Sequence, residues 1–250
     1  MLEVLYQNSI ITLKTFNLFL ALGFLFGGAF CIRYCEKHKM NLAFLSQYFL
    51  PLLMAAVFGG RLFYFFENWA IMSDNLISVL HLWNLNQYSF FGILFGLFVA
   101  LFFLARRRHE DFWAWVDASA LTTLGVLIFT HLGFFFSGRY YGEPTTLPWG
   151  IAFDASHIPY LTPLHPIQLY AAFLTIILLG YSVKRSKRIH LSGVVGTWAI
   201  MLYSLHMLGI DFLRGDPTHY TYTKIVFAVL AALSFIASVH CSHKTHSSTS

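Results

Sequence analysis

Long uninterrupted apolar runs dominate this chain, and short polar segments separate them. A helix that crosses a bilayer needs about 20 mostly apolar residues to span roughly 30 Å of hydrocarbon. Seven stretches meet that length, at about 15–32, 44–66, 88–105, 112–136, 166–183, 191–213 and 223–240. Helices close their own backbone hydrogen bonds, which lipid requires. A transmembrane β-barrel would instead show alternating segments of about ten residues, and the continuous run from Ile93 to Leu104 excludes it. The pattern therefore predicts an all-α, polytopic membrane protein. It has one transmembrane domain over 1–240 and a disordered cytoplasmic tail over 241–250. The first run reads as a spanning helix and not as a cleaved signal, because a basic cluster follows where a small-residue cleavage site would stand.

Composition agrees with this reading. The 250 residues are 57% hydrophobic and 11% charged, against about a quarter charged in soluble domains. The formal charge of +5 invites a nucleic-acid reading, but the basic residues lie in loops between apolar runs. They are a topology signal instead. Eleven of the sixteen fall on one side: Arg33, Lys37, Lys39, Arg106, Arg107, Arg108, Lys184, Arg185, Lys187, Arg188 and Lys244. The positive-inside rule makes that side cytoplasmic, with the N-terminus outside. The longest connection, about 137–165, is then on the outer face. Its Pro, Gly and aromatic residues predict an ordered, functional loop.

Ionisable residues within spans mark sites or pathways by default. Arg61 follows Gly59-Gly60 and reads either as a cation for a phosphate headgroup or as an arginine tied to a neighbouring carboxylate. Asp117 reads as a helix cap or structural acid. His131 has the chemistry of a base or, protonated, of a phosphate contact, with Ser137 and Arg139 beyond it. His165 stands just before Pro166 near a helix start, and Gln168 three positions on suits a capping box. Asp211 and Arg214, spaced i, i+3, fit an intrahelical ion pair, with His206 expected to face elsewhere. Cys31, Cys35 and Cys241 form no disulfide framework. The turn spacing of Cys31 and Cys35, with His38 beyond, does not make a metal site, because no fourth ligand is evident, and the cysteines read as free thiols. Phosphate loops, dinucleotide fingerprints and His-Glu-x-x-His are absent from the sequence.

Several strings, in order, resemble the bacterial prolipoprotein diacylglyceryl transferase family. They are Gly59-Gly60-Arg61, Ser89-Phe90-Phe91-Gly92, the turn from Arg106 to Asp117, and His131-Leu132-Gly133-Phe134-Phe135 with Gly142. Pro148-Trp149-Gly150, His165-Pro166-Ile167-Gln168-Leu169-Tyr170 and Asp211-Phe212-Leu213-Arg214 complete the series. The resemblance implies transfer of diacylglyceryl from phosphatidylglycerol to the lipobox cysteine of a prolipoprotein at the outer leaflet of the inner membrane. It implies no metal or cofactor, and a phospholipid and a signal peptide as partners. His131 and Asp211 become the expected catalytic pair, with Arg61, Arg139, His165, Gln168, Tyr170 and Arg214 binding substrate. The polar centre departs from the family pattern. Phe91 stands for a His, His131 for an Arg, Phe134 and Ser137 for Asn, and Arg139 and Ala171 for Glu. Met207 stands for an Arg, while Asp211 keeps the acid as a shorter side chain. Two readings follow: a transferase with a rebuilt centre, or a non-catalytic relative that binds phospholipid or lipoprotein signal helices. A transporter is a third, without the internal repeat that transporters often show.

Overall fold

The computed structural model describes residues 4–7, 12–72, 87–153, 158–189, 191–216 and 221–246. Seven of its helices are long and apolar enough to cross a membrane. These are α1 (Thr15–Lys37), α2 (Leu42–Glu67), α4 (Phe90–Arg108), α5 (Phe112–Ser137), α6 (Ile167–Ser186), α7 (Val194–Asp211) and α8 (Thr221–His246). A one-turn α3 (Trp69–Met72) follows α2, and a short antiparallel ladder, β1 (Val4–Gln7) with β2 (Thr12–Lys14), precedes α1. The expected polytopic helical fold is present. α8 continues to His246, so the tail predicted from 241 onward begins as helix. Residues 247–250 lie outside the described residues.

The sequence predicts one transmembrane domain; packing groups it into two compact units, 1–34 with 117–250, and 35–116. In the smaller unit, α2 and α4 meet where side chains are missing. A Cβ at Gly96 would overlap the Ala55 carbonyl oxygen, and one at Gly59 would overlap that of Gly92. Small residues allow such backbone approach, which replaces the hydrophobic effect as the source of helix association in lipid. Ser89 caps α4, accepting from the Gly92 N–H at 3.4 Å, and its hydroxyl donates to Glu67 Oε1 at 2.6 Å. Asp111 caps α5 through the Trp113 and Ala114 amides.

In the larger unit, α6 shows how a spanning helix distributes its residues. Its buried face carries Gln168, Ala171, Ala172, Thr175, Leu178, Leu179, Ser182 and Ser186, at helical spacing. Phe173, Ile176 and Ile177 are exposed. The polar side chains therefore point inward and the bulky apolar ones outward, as a lipid-facing helix requires. Aromatic pairs join α1 to α5: Phe16 stacks on Phe134 at 5.0 Å, and Phe19 on Phe136 at 5.1 Å.

Asp117 is fully buried in α5 but does not cap its own helix. Its carboxylate accepts from the amides of Gly193 and Gly196, at 2.8 and 2.5 Å, and from Tyr34 Oη at 3.1 Å. Gly193 takes a left-handed φ of 87° as the N-cap of α7 and has no side chain to cap with. Asp117 supplies that cap from another helix, with its charge at the positive end of the α7 dipole.

Asp117→Ala leaves two buried N–H groups without their acceptor, at about 1–3 kcal/mol each. Thermal unfolding in detergent is expected to show a loss of about 2–6 kcal/mol, with Asp117→Asn losing less; an unchanged melting temperature overturns the assignment. Gly96→Val is expected to lower the melting temperature. Gly28→Val, where a Cβ meets nothing within 4 Å, serves as the neutral control.

Candidate functional site

The chain reverses at the end of α5. Gly138 and Tyr140 both adopt left-handed backbone, with φ of 67° and 58°. The extended segment that follows is knitted to two others by main-chain bonds. Gly142 N donates to His165 O at 3.0 Å, and His165 N to Glu143 O at 3.0 Å. Glu143 N donates to Leu213 O at 2.9 Å, and Gly215 N to Tyr141 O at 3.1 Å. Only glycine fits at 142, since a Cβ would stand 2.6 Å from His165 Cβ. A buried cluster of Tyr141, Phe153, Ile158 and Leu164 packs beneath this knot. The long connection is thus ordered through its described residues, as expected.

Arg214 lies at the centre of the knot. It falls beyond the end of α7 at Asp211, so its pair with Asp211 is not the intrahelical bridge that i, i+3 spacing suggests. The chain turns after Asp211, and Arg214 Nη1 reaches back to Asp211 Oδ1 at 3.2 Å. Its stronger partner is Asp216, held by two parallel bonds, Nε–Oδ1 at 2.6 Å and Nη2–Oδ2 at 2.9 Å. The Asp211 carboxylate also accepts from Thr223 Oγ1 of α8 at 2.8 Å. Burial disfavours the Arg214 charge, but Asp216, Tyr140 and Asp211 outweigh burial and hold the guanidinium charged more firmly than usual. One guanidinium faces two carboxylates, so Arg214 is a neutralised group and not a bare cation. The Tyr140 ring lies against it, 4.2 Å from Cζ to centroid.

His131 is buried in α5, with Nε2 3.3 Å from Tyr203 Oη of α7, and its Nδ1 is buried with no hydrogen-bond partner. His206, expected to face elsewhere, meets the same Tyr203 edge-on at 4.8 Å and belongs to this cluster. Phe134 stacks on Tyr140 at 5.8 Å, and the His131 ring lies 6.4 Å from Tyr140. A continuous group therefore runs from His206 through Tyr203, His131 and Tyr140 to Arg214.

The His-Pro-x-Gln-Leu-Tyr string opens α6 without the predicted capping box. Pro166 is the N-cap and no side chain caps it. Gln168 is fully buried, and its Nε2 donates to the Arg139 carbonyl at 2.8 Å, fixing the chain reversal after α5. His165 Nδ1 lies 3.4 Å from Tyr170 Oη, which accepts from Trp149 Nε1 at 2.7 Å. The Arg139 side chain is exposed. His131, Arg139, His165, Gln168, Tyr170, Asp211 and Arg214 thus gather in the larger unit. Arg61 belongs to the smaller one, where it is buried. It donates from Nη1 to Gln87 O at 2.8 Å and lies 5.8 Å from the Tyr88 ring centroid.

Sequence reasoning passed over Tyr140, Tyr203, Asp216 and Thr223. Asp216 carried a signal, an acid two residues after an arginine already singled out; Tyr140 and Tyr203 are ordinary aromatics in an aromatic chain. Among the described residues, no group of three or more His, Cys, Asp or Glu side chains is placed to hold a metal.

Known proteins match along most of this architecture. The phosphatidylglycerol–prolipoprotein diacylglyceryl transferase of Clostridium tetani is 26% identical over 185 residues, 74% of this chain and 71% of that protein. The protein of the same description from Nitratidesulfovibrio vulgaris strain Miyazaki F is 32% identical over 169 residues, covering 66% of this chain and 62% of the relative. That of Polynucleobacter asymbioticus is 36% identical over 138 residues, 53% of this chain and 51% of the relative. The matched stretches thus span from about half to about seven-tenths of these relatives. The family model described as prolipoprotein diacylglyceryl transferase matches residues 3–241, nearly the whole chain, and the chain belongs to that family.

Proposed function

We propose that this protein moves the diacylglyceryl group of phosphatidylglycerol onto the lipobox cysteine of a lipoprotein precursor. It works at the outer leaflet, with its N-terminus outside and its C-terminus in the cytoplasm. The observation that supports this reading is convergence. Gly142, Trp149, His165 to Tyr170 and Asp211 to Arg214 are far apart in sequence, yet hydrogen bonds join them in one knot, and His131 reaches it through the Tyr140 ring. They are four of the seven strings that carry the family resemblance.

In the reaction, the cysteine Sγ attacks the glyceryl carbon next to the phosphate. A carbon–sulfur bond forms, the carbon–oxygen bond breaks, and glycerol phosphate leaves with the electron pair. The thiol must lose its proton, and the departing phosphate must be met by fixed donors or charge. We assign His131 and Asp211 to the reacting centre. Arg139, exposed beside the knot, supplies positive charge for the phosphate, because two carboxylates already occupy Arg214. Arg214 then orders Asp211 and the Tyr140 ring, and His165, Gln168 and Tyr170 shape the entrance. Arg61 is a separate headgroup candidate on the smaller unit.

A second reading, a non-catalytic binder of phospholipid or signal helices, draws on His131 itself. Its ring is buried, and one nitrogen is already engaged by Tyr203.

Purified protein in phosphatidylglycerol vesicles with a lipobox peptide is expected to release glycerol phosphate only when the peptide carries its cysteine. His131→Ala is expected to lower that release by about 100-fold or more. No release from the wild-type protein, with phosphatidylglycerol retained through purification, replaces the first reading by the second.

A further inference from the structure

Tyr140 stands between Phe134 and Arg214, and its geometry is unusual in two respects. Its backbone is left-handed, with φ of 58°, a conformation that costs a side-chain-bearing residue about 1–2 kcal/mol. Its ring is sandwiched, with Phe134 stacked at 5.8 Å and 21° and the Arg214 guanidinium 4.2 Å from the ring centroid. Burial holds the phenol protonated well above the usual tyrosine range.

A phenylalanine would give Phe134 and Arg214 the same ring. What tyrosine adds is one O–H. A phenol that stays protonated is a neutral hydrogen-bond donor, and the ring contacts with Phe134 and Arg214 do not use its O–H. Strain of this kind persists at sites where the surrounding structure holds a residue in a working position.

The electrostatic setting decides what that proton meets. Asp211 and Asp216 are buried and bound to Arg214, so they leave the guanidinium little free charge. Arg139, the preceding residue, is exposed and brings a positive charge to the same turn. A charged side chain that attracts and a neutral donor that directs suit a phosphoryl oxygen. We propose that Tyr140 is a phosphate-contact residue, its phenol O–H donating to a phosphoryl oxygen of an anionic glycerophosphate group held at the knot. The proposal deepens the lipid-handling reading and does not require turnover. The same chemistry is offered by the headgroup of an anionic lipid or by free glycerol phosphate.

The test is lipid selectivity. Full-length protein in detergent is equilibrated with equal amounts of phosphatidylglycerol and diacylglycerol, and the retained lipid is measured by mass spectrometry. The wild-type protein is expected to favour phosphatidylglycerol, and Tyr140→Phe to reduce that preference about tenfold at an unchanged melting temperature. Glycerol phosphate that displaces the lipid from the wild-type protein identifies a site that reads phosphate alone. Tyr140-dependent retention that resists this competitor identifies the intact headgroup as the ligand. If Tyr140→Phe fails to fold, Tyr140→Trp decides: it keeps a ring and an N–H donor and is expected to stay within about threefold of the wild type. A wild-type preference that persists in the Phe variant overturns the proposal, as does a wild-type protein with no preference or a Trp variant that loses it. Because no turnover is read, an inactive transferase that still selects phosphatidylglycerol through Tyr140 separates this proposal from the reaction.

Discussion

Backbone N–H and C=O groups inside hydrocarbon have no water to bond, and every architectural feature of this multi-pass inner-membrane protein answers that constraint. Seven helices satisfy their interiors automatically; their ends need separate solutions. Ser89 and Asp111 cap α4 and α5 locally. α7 starts on a glycine and borrows Asp117 from α5. The connection between α5 and α6 satisfies itself by exchanging main-chain bonds with the segments around His165 and Leu213. That exchange also builds the candidate site, because it fixes where Tyr140, His165 and Arg214 stand.

Charge is handled by the same economy. Arg214 is bound by two carboxylates and faced by an aromatic ring, so its retention needs no anionic ligand to explain it. An arginine buried with one partner removed would be strongly destabilising; with Asp211, Asp216 and Tyr140 in place it is a structural keystone. In the proposed reading, the chemistry of the site falls to groups around it, His131, Tyr140 and the exposed Arg139, and less to the guanidinium itself.

The fold was largely legible in the sequence, since uninterrupted apolar length is a direct physical requirement for spanning and leaves few alternatives. The strings around His131, His165 and Asp211 were legible as well, because they are unusual. Side-chain partnerships were not. Gln168 looked like a capping-box residue, and its amide instead reaches the Arg139 carbonyl across 29 positions. Asp211 and Arg214 looked intrahelical, and the helix ends between them. Periodicity reports which face a residue occupies while the helix lasts; it does not report where the helix stops or which distant carbonyl lies opposite. Tyr140 was silent for a related reason: its position depends on a left-handed backbone that nothing in a tyrosine announces.

The Asp117 clamp also has a history in time. Tyr34, one of its partners, lies 83 residues earlier in the chain, while the Gly193 amide follows 76 residues later. At about 5–20 residues per second, α5 leaves the ribosome roughly 4–15 seconds before α7 can offer its first turn. During that interval the carboxylate has at most the tyrosine hydroxyl behind it and the bilayer around it. The cap on α7 therefore cannot form until well after α5 has been made, and Asp117 precedes in time the amides that it serves.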